Sequence, residues 1–124
     1  MKNTLFGVVL LIGMIVIGLT GIALANSAVD GDEPAMMVSP SVIVLAKVDT
    51  ITVHTNIAAT AVDTGSIALN SIAPTGVGID NLGHLTAKFA LADLGLSPGE
   101  VTLTLTGAFT DGTTFSAGDT VRVK

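Results

Sequence analysis

The chain has 124 residues, no cysteine and a formal net charge of −5, and charged residues make up 12% of it. This length leaves room for one domain, and the absence of cysteine excludes disulfide bonds and thiolate metal sites. The acidic balance disfavours nucleic acid and anionic lipid headgroups as partners, and the absence of Trp and Tyr leaves little aromatic surface for stacking on sugars.

Residues 1–25 have the pattern of an export segment. Lys2 precedes a run from Leu5 to Ala25 that is apolar or Gly at every position except Thr20. Its last three residues, Ala23-Leu24-Ala25, resemble a small-residue cleavage site, which predicts a signal peptide cut before residue 26. The run is also long enough to span a bilayer, so a retained signal anchor stays open as the alternative. Both readings predict an N-terminal hydrophobic helix and an extracellular or cell-surface location.

Residues 26–40 are predicted to be a linker, because they carry acids, small residues and the prolines Pro34 and Pro40. Met36, Met37 and Val38 form an apolar island inside this segment. The island either lies along the edge of the domain or docks onto a neighbouring molecule.

Residues 41–124 alternate between apolar and polar side chains, which is typical of strands with one buried face. Strands are predicted at Ser41–Lys47, Thr50–Ile57, Ile67–Leu69, Leu85–Leu91, Val101–Thr106 and Thr120–Val123. Turns are predicted at Asp63–Gly65, Pro74–Gly76, Asp80–Gly83, Ser97–Gly99 and Asp111–Gly112. With one helical turn at Leu91–Leu96 crossing between the sheets, the pattern predicts an all-β, antiparallel β-sandwich of about seven strands.

The last third of the domain resembles a known module. The segments Val101–Gly107, Asp111–Phe115 and Gly118–Val123 are similar to the end of the Ig-like module of secreted and cell-surface proteins of bacteria and archaea. Val38–Ser41 at the start and Leu94–Gly99 before the long strand fit the same module. The resemblance covers residues 38–124 and implies an extracellular structural or spacer role. The Cys-Trp-Cys core and tyrosine corner of antibody domains are absent, so the likeness is to the general sandwich.

Two histidines are the first candidates for chemistry. His54 lies on the polar side of its strand, and His84 follows the Asp80–Gly83 turn. A catalytic histidine needs a nucleophile and an orienting acid, and the spacing identifies neither partner. A zinc ion shared by the two would need a third ligand. Both are therefore predicted to be solvated strand residues.

The acidic residues are the second group of candidates. Asp30, Asp32 and Glu33 have a spacing that a calcium ion could use, but nothing completes a binding loop around them, so a solvated charge run is expected. Four residues are predicted to form turns by bonding their own backbone: Asp80, Asn81, Asp111 and Asp119. A calcium ion held by turn carboxylates at one end of the sandwich stays open.

No catalytic, cofactor-binding or metal-binding residue is predicted, and no small-molecule substrate is evident. The chain is expected not to be an enzyme, but an exported domain with a structural or protein-interaction role at the cell surface. Contact with the membrane is expected only through residues 5–25, and only if they are retained. The alternative is a subunit of an extracellular filament or surface assembly, in which Ala35–Val38 or residues 26–40 complete the sheet of a neighbour.

The threonines on the polar strand faces have two interpretations. Thr50 and Thr52 alternate on one strand, and Thr102, Thr104 and Thr106 on another. Threonine favours strands and stays soluble, which predicts a hydrated sheet face. A weakly charged face or strand edge could instead stack or pair with copies of itself.

Overall fold

The computed structural model describes residues 28–31 and 33–124. The predicted signal peptide or anchor at 1–25 lies outside the described residues, as does Asp32. Among the described residues, no helix has the length and apolar character needed to cross a membrane.

The described part of the chain forms two four-stranded sheets, which confirms the predicted all-β, sandwich-like architecture. The strands are β1 Met36–Ser39, β2 Val42–Ile43, β3 Thr50–Ala58, β4 Val62–Leu69, β5 Gly76–Ile79, β6 His84–Ala90, β7 Gly99–Phe109 and β8 Thr114–Val123. One sheet has the order β1-β3-β6-β5 and the other has the order β2-β8-β7-β4. Neighbouring strands pair antiparallel, except that β2 runs parallel to β8.

The core lies between the two sheets and is built from the alternating apolar positions. Ile51 and Phe89 in one sheet, and Leu103 and Leu105 in the other, have no exposed surface. Burying a side chain of this size contributes about 1.5–3 kcal/mol. The alternation read from the sequence therefore identifies the buried face of β3, β6 and β7 correctly.

The first strand is divided between the two sheets. Met36–Ser39, which the sequence assigns to a linker, forms β1 and pairs antiparallel with β3, with Val38 opposite Val53. The chain then crosses to the other sheet, where Val42–Ile43 forms β2 beside β8. The apolar island thus lies along the domain edge, with Val38 only 1% exposed.

The strand predicted at Ser41–Lys47 is shorter in the structure. It ends at Ile43, because the N–H groups of Lys47 and Val48 both turn back to the carbonyl of Val44. Leu45 is 37% exposed and does not continue the buried face.

The segment Asp63–Gly65 was predicted to be a turn, and this is wrong. It lies inside β4, at a register shift between Asp63 and Ala68. The Asp63 carboxylate accepts the N–H of Gly65, and the Ser66 hydroxyl donates to the Asp63 carbonyl. The turn-like local bonding is real, but it forms an irregularity within the strand.

Three other connections match their predictions. The Asp80–Gly83 turn joins β5 to β6 and closes with a bond from the Gly83 N–H to the Asp80 carbonyl. Gly112 lies in the β7–β8 hairpin with a φ of +94°, a conformation that suits glycine. A short helix, α1 (Leu91–Leu94), carries the chain from β6 to β7 in the other sheet.

Candidate functional site

The two histidines come together on the outer face of the β1-β3-β6-β5 sheet. His54 on β3 is exposed and lies opposite Met37 of β1 and Thr86 of β6. His84 lies at the start of β6, and both imidazoles line one shallow depression of about 240 Å³. The sequence spacing of the two histidines does not predict that they line the same depression, because β3 and β6 are distant in sequence and become neighbours only in the sheet.

His84 lies between two carboxylates. Its Nε2 is 3.6 Å from Oδ2 of Asp30, and its Nδ1 is 3.9 Å from Oδ2 of Asp80. Both distances exceed those of a good hydrogen bond, so these contacts are ion pairs only when the imidazole is protonated. Among the described residues, no three His, Asp or Glu side chains are grouped so as to hold a metal ion.

Asp80 organises the turn that carries His84. Its Oδ1 accepts the N–H groups of Leu82 at 2.8 Å and of His84 at 2.9 Å. These bonds, that from His84 first, lower the pKa of the Asp80 carboxyl below its usual value, since they favour the ionised form. The predicted role of Asp80 as a turn former is confirmed.

Asn56 is a residue that the sequence reasoning missed. Its side-chain amide donates to the carbonyls of Asp30 and Glu33 and accepts the N–H of Ala35. The backbone adds a bond from the Asp30 N–H to the Asn56 carbonyl at 2.8 Å. The backbone at Asp30, Glu33 and Ala35 is therefore held against β3. The sequence does not indicate this, because one outward-facing Asn in a strand has no distinguishing pattern.

Of the other predicted turn formers, Asp111 forms a turn and Asp119 does not. Asp111 accepts the N–H and hydroxyl of Thr113, chiefly the hydroxyl, which lowers the pKa of its carboxyl and confirms its turn role. Asp119 does not form a turn. It lies within β8, opposite Leu103, and its Oδ2 accepts the Val38 N–H at 2.9 Å. Its side chain points between the sheets and ties β1 to the opposite sheet.

The outer threonine faces are exposed or half-buried at polar strand positions. Thr102 on β7 and Thr120 on β8 are exposed and opposite each other, with their hydroxyl oxygens 3.3 Å apart. The contact between Thr102 and Thr120 is a lateral polar contact on the sheet surface.

The edge strand β5 carries the most unusual surface. Val77 pairs with Ala87 and Ile79 with Leu85, so Val77 and Ile79 lie on the side of the sheet that faces the core. Ala87 and Leu85 are buried, yet Val77 is 41% exposed and Ile79 is 63% exposed. We call these two side chains the β5 ledge.

The ledge is only partly covered by neighbouring residues. A depression of about 260 Å³ lies against it. Its lining residues are Ala59, Thr60, Thr64, Val77, Gly78 and Ile79. Leu82, 77% exposed in the following turn, adds a further apolar side chain nearby in sequence. The sequence missed β5 altogether, because Gly76-Val77-Gly78-Ile79 alternates glycine with apolar residues after a predicted turn.

Comparison of the chain with known protein families, with curated proteins and with solved structures finds no match.

Proposed function

We propose that the chain is an exported, non-catalytic Ig-like domain that acts by protein contact at the cell surface. The observation that carries the proposal is the β5 ledge. Apolar side chains on the core side of a sheet normally lie against a second layer, and their exposure is typical of a contact surface. Val77 and Ile79 are the exposed apolar pair that such a contact would cover.

The Ig-like assignment is supported by the strand order. If β1 and β2 count as two halves of one strand, the sheets have the orders 1-2-5-4 and 1-7-6-3 in renumbered strands. This corresponds to the ABED and CFG arrangement of constant-type Ig domains, with the first strand shared between the sheets. The resemblance of residues 101–123 to bacterial and archaeal Ig-like modules supports the same assignment.

Export is supported by the apolar run from Leu5 to Ala25 after Lys2. Fractionation of the native host, with intact mass measurement, tests it. A product that starts at Asn26 in the exported fraction, or a full-length product in the membrane fraction, agrees with the proposal. A full-length product in the cytoplasm overturns export.

Contact through the ledge is tested by photo-crosslinking in the native host. Ile79 is replaced by a photo-crosslinking phenylalanine derivative, and Thr102 on the opposite sheet is replaced in the control. We expect protein adducts from position 79 well in excess of those from position 102, because only the first position lies on the ledge. Equal or absent adducts from the two positions would exclude the ledge as the contact surface.

Strand donation is the second candidate function. It is favoured by β1, since Met36–Ser39 does complete the edge of β3, in a defined register. The same segment supplied by a neighbouring copy would make the same pairs, as in domain swapping. Copies of two different isotopic masses are mixed, and crosslinks between residues 37 and 54 are analysed by mass. Crosslinks that join a light copy to a heavy copy support donation, and crosslinks found only within single copies exclude it.

A further inference from the structure

The edge of β5 has the chemistry of a strand-pairing site. Gly76–Ile79 contains neither proline nor a charged residue, the two devices that most often block edge pairing. No described residue pairs with its outer edge, where β5 ends the order β1-β3-β6-β5. Its backbone groups and the apolar ledge are therefore available to the same partner.

We propose that this partner is a second copy of the chain, paired antiparallel through β5 in a register centred on Gly78. The inference rests on the proposed function, because it names the protein that contacts the ledge. A two-fold axis perpendicular to the sheet brings two β5 edges together antiparallel and keeps the core faces on the same side. The β1-β3-β6-β5 sheets of the two copies then form one continuous sheet.

This register completes the ledge. With Gly78 opposite its own symmetry copy, Val77 lies opposite Ile79 of the second copy, and Ile79 lies opposite Val77 of the second copy. Directly opposed side chains in an antiparallel pair have Cβ atoms about 4.5–5.5 Å apart, which is close enough for contact. The partly exposed side chains of both copies thus form one apolar cluster.

Charge complementarity favours this register over one centred on Val77. Gly76 lies beside Lys88 of β6, and Lys88 is exposed on the outer face. In the register centred on Gly78, Asp80 of the second copy lies opposite Gly76. Because glycine has no side chain, the Lys88 ammonium can reach across it to that carboxylate.

The Asp80 carboxylate has an oxygen available for this contact. Oδ1 accepts both backbone N–H groups of the turn, while Oδ2 makes, within the part of the chain that the structure describes, only the 3.9 Å contact with His84. The symmetry produces the Lys88–Asp80 pair twice. The register centred on Val77 would place Asp80 opposite Pro74 instead and would lack both pairs.

The absence of native cysteine allows a direct test of the register. The full chain is prepared as Val77→Cys, as Ile79→Cys and, for a control on the opposite sheet, as Thr102→Cys. Each is oxidised alone and in pairwise mixtures, and disulfide dimers are quantified by non-reducing gel and intact mass. We expect the mixture of V77C and I79C to form several-fold more dimer than either variant alone. Dimer no more abundant than with T102C would overturn the proposal, and dominant V77C homodimer would overturn the register.

Charge reversal supplies a second test that does not alter β5. Lys88→Glu is compared with Lys47→Glu, and the dimer dissociation constant is measured by sedimentation. We expect K88E to weaken the dimer roughly threefold to tenfold and K47E to leave it unchanged, since exposed ion pairs contribute modestly. Equal effects of the two variants would overturn the charge argument.

The photo-crosslinking experiment at position 79 separates the two levels of the proposal. An adduct of twice the protein mass supports the second copy as partner. An adduct with a different protein leaves the proposed function standing and overturns self-pairing. Adducts no more abundant than at position 102 overturn both.

Discussion

The bond between Asp119 and Val38 is the clearest place to perturb the link between the two sheets. Asp119→Ala removes the carboxylate that accepts the Val38 N–H at 2.9 Å. Val38 is 1% exposed, so its donor is left in a largely dry place. An unsatisfied buried donor costs about 1–3 kcal/mol. The alanine variant also avoids the cost of partly desolvating the Asp119 carboxylate in the folded state. This reduces the net loss of unfolding free energy to about 1–2 kcal/mol.

The loss should be visible in both global and local stability. For a domain of this size, about 1 kcal/mol lowers the melting temperature by about 4–8 °C. The Val38 amide should also exchange its hydrogen faster, because the four-residue strand β1 loses its tie to the opposite sheet.

Asp119→Asn is the matched control. Its amide oxygen can still accept the Val38 N–H, so the loss should be about half that of the alanine variant, since a neutral acceptor is weaker than a charged one. Thermal unfolding and amide exchange by NMR are measured on all three proteins. Unchanged melting and unchanged Val38 exchange in D119A would refute the reasoning.

Three further predictions concern single side chains. Thr55→Val leaves the buried Ile57 N–H without its 3.2 Å acceptor and should cost about 1–3 kcal/mol by urea unfolding, while Thr55→Ser should cost much less. Gly107→Ala places a Cβ 2.6 Å from Cζ of Phe115 and should destabilise by about 1 kcal/mol, because overpacking outweighs the gain from removing glycine; a more stable variant would contradict this. The lowered pKa of Asp80 implies stability that is full above the usual carboxyl pKa and is lost as pH falls through the folded-state pKa. Asp80→Asn should therefore lose less melting temperature than the wild type between about pH 5 and about pH 2, and an equal loss would contradict this.

The sequence predicts the parts of the fold that depend on local pattern. The strands β3, β6 and β7 and the end of β8 alternate clearly, and Asp111-Gly112 marks its hairpin, because both signals depend on near neighbours in the chain. The first part of β8, from Thr114, is not predicted as a strand. Leu91–Leu94 crosses between the sheets as the pattern predicts. These elements would be identified without any knowledge of their partners.

The missed elements depend on partners distant in sequence. Met36–Ser39 is a strand because it pairs with β3, where Val38 lies opposite Val53, and because the Asp119 carboxylate accepts the Val38 N–H. A run of two methionines after acidic residues does not indicate this. Gly76–Ile79 has glycine at two of four positions, which lowers strand propensity, and it forms only because β6 lies beside it.

The candidate site was only partly predictable for the same reason. His54 is exposed, as predicted for a solvated strand residue, whereas the side chain of His84, also predicted to be solvated, is only 15% exposed. The depression that they share follows from the pairing of β3 with β6. The β5 ledge could not be anticipated, because it depends on the pairing of β5 with β6 and on the exposure of Val77 and Ile79 rather than on any motif.

The parallel pairing of β2 with β8 determines how the domain responds to mechanical tension. The backbone bonds that join these segments include those from the Arg122 N–H to Ser41, from the Lys124 N–H to Ile43 and from the Leu45 N–H to Lys124. The chain enters β2 at one end of this pair and leaves β8 at the other. A pull between Ser41 and Lys124 therefore loads these bonds in shear at once, instead of unzipping them one after another. In a protein held by its N-terminal side and pulled from Lys124, the bonds of β1 to β3 and to Asp119 carry the load first. Once β1 is released, the β2–β8 pair resists in shear.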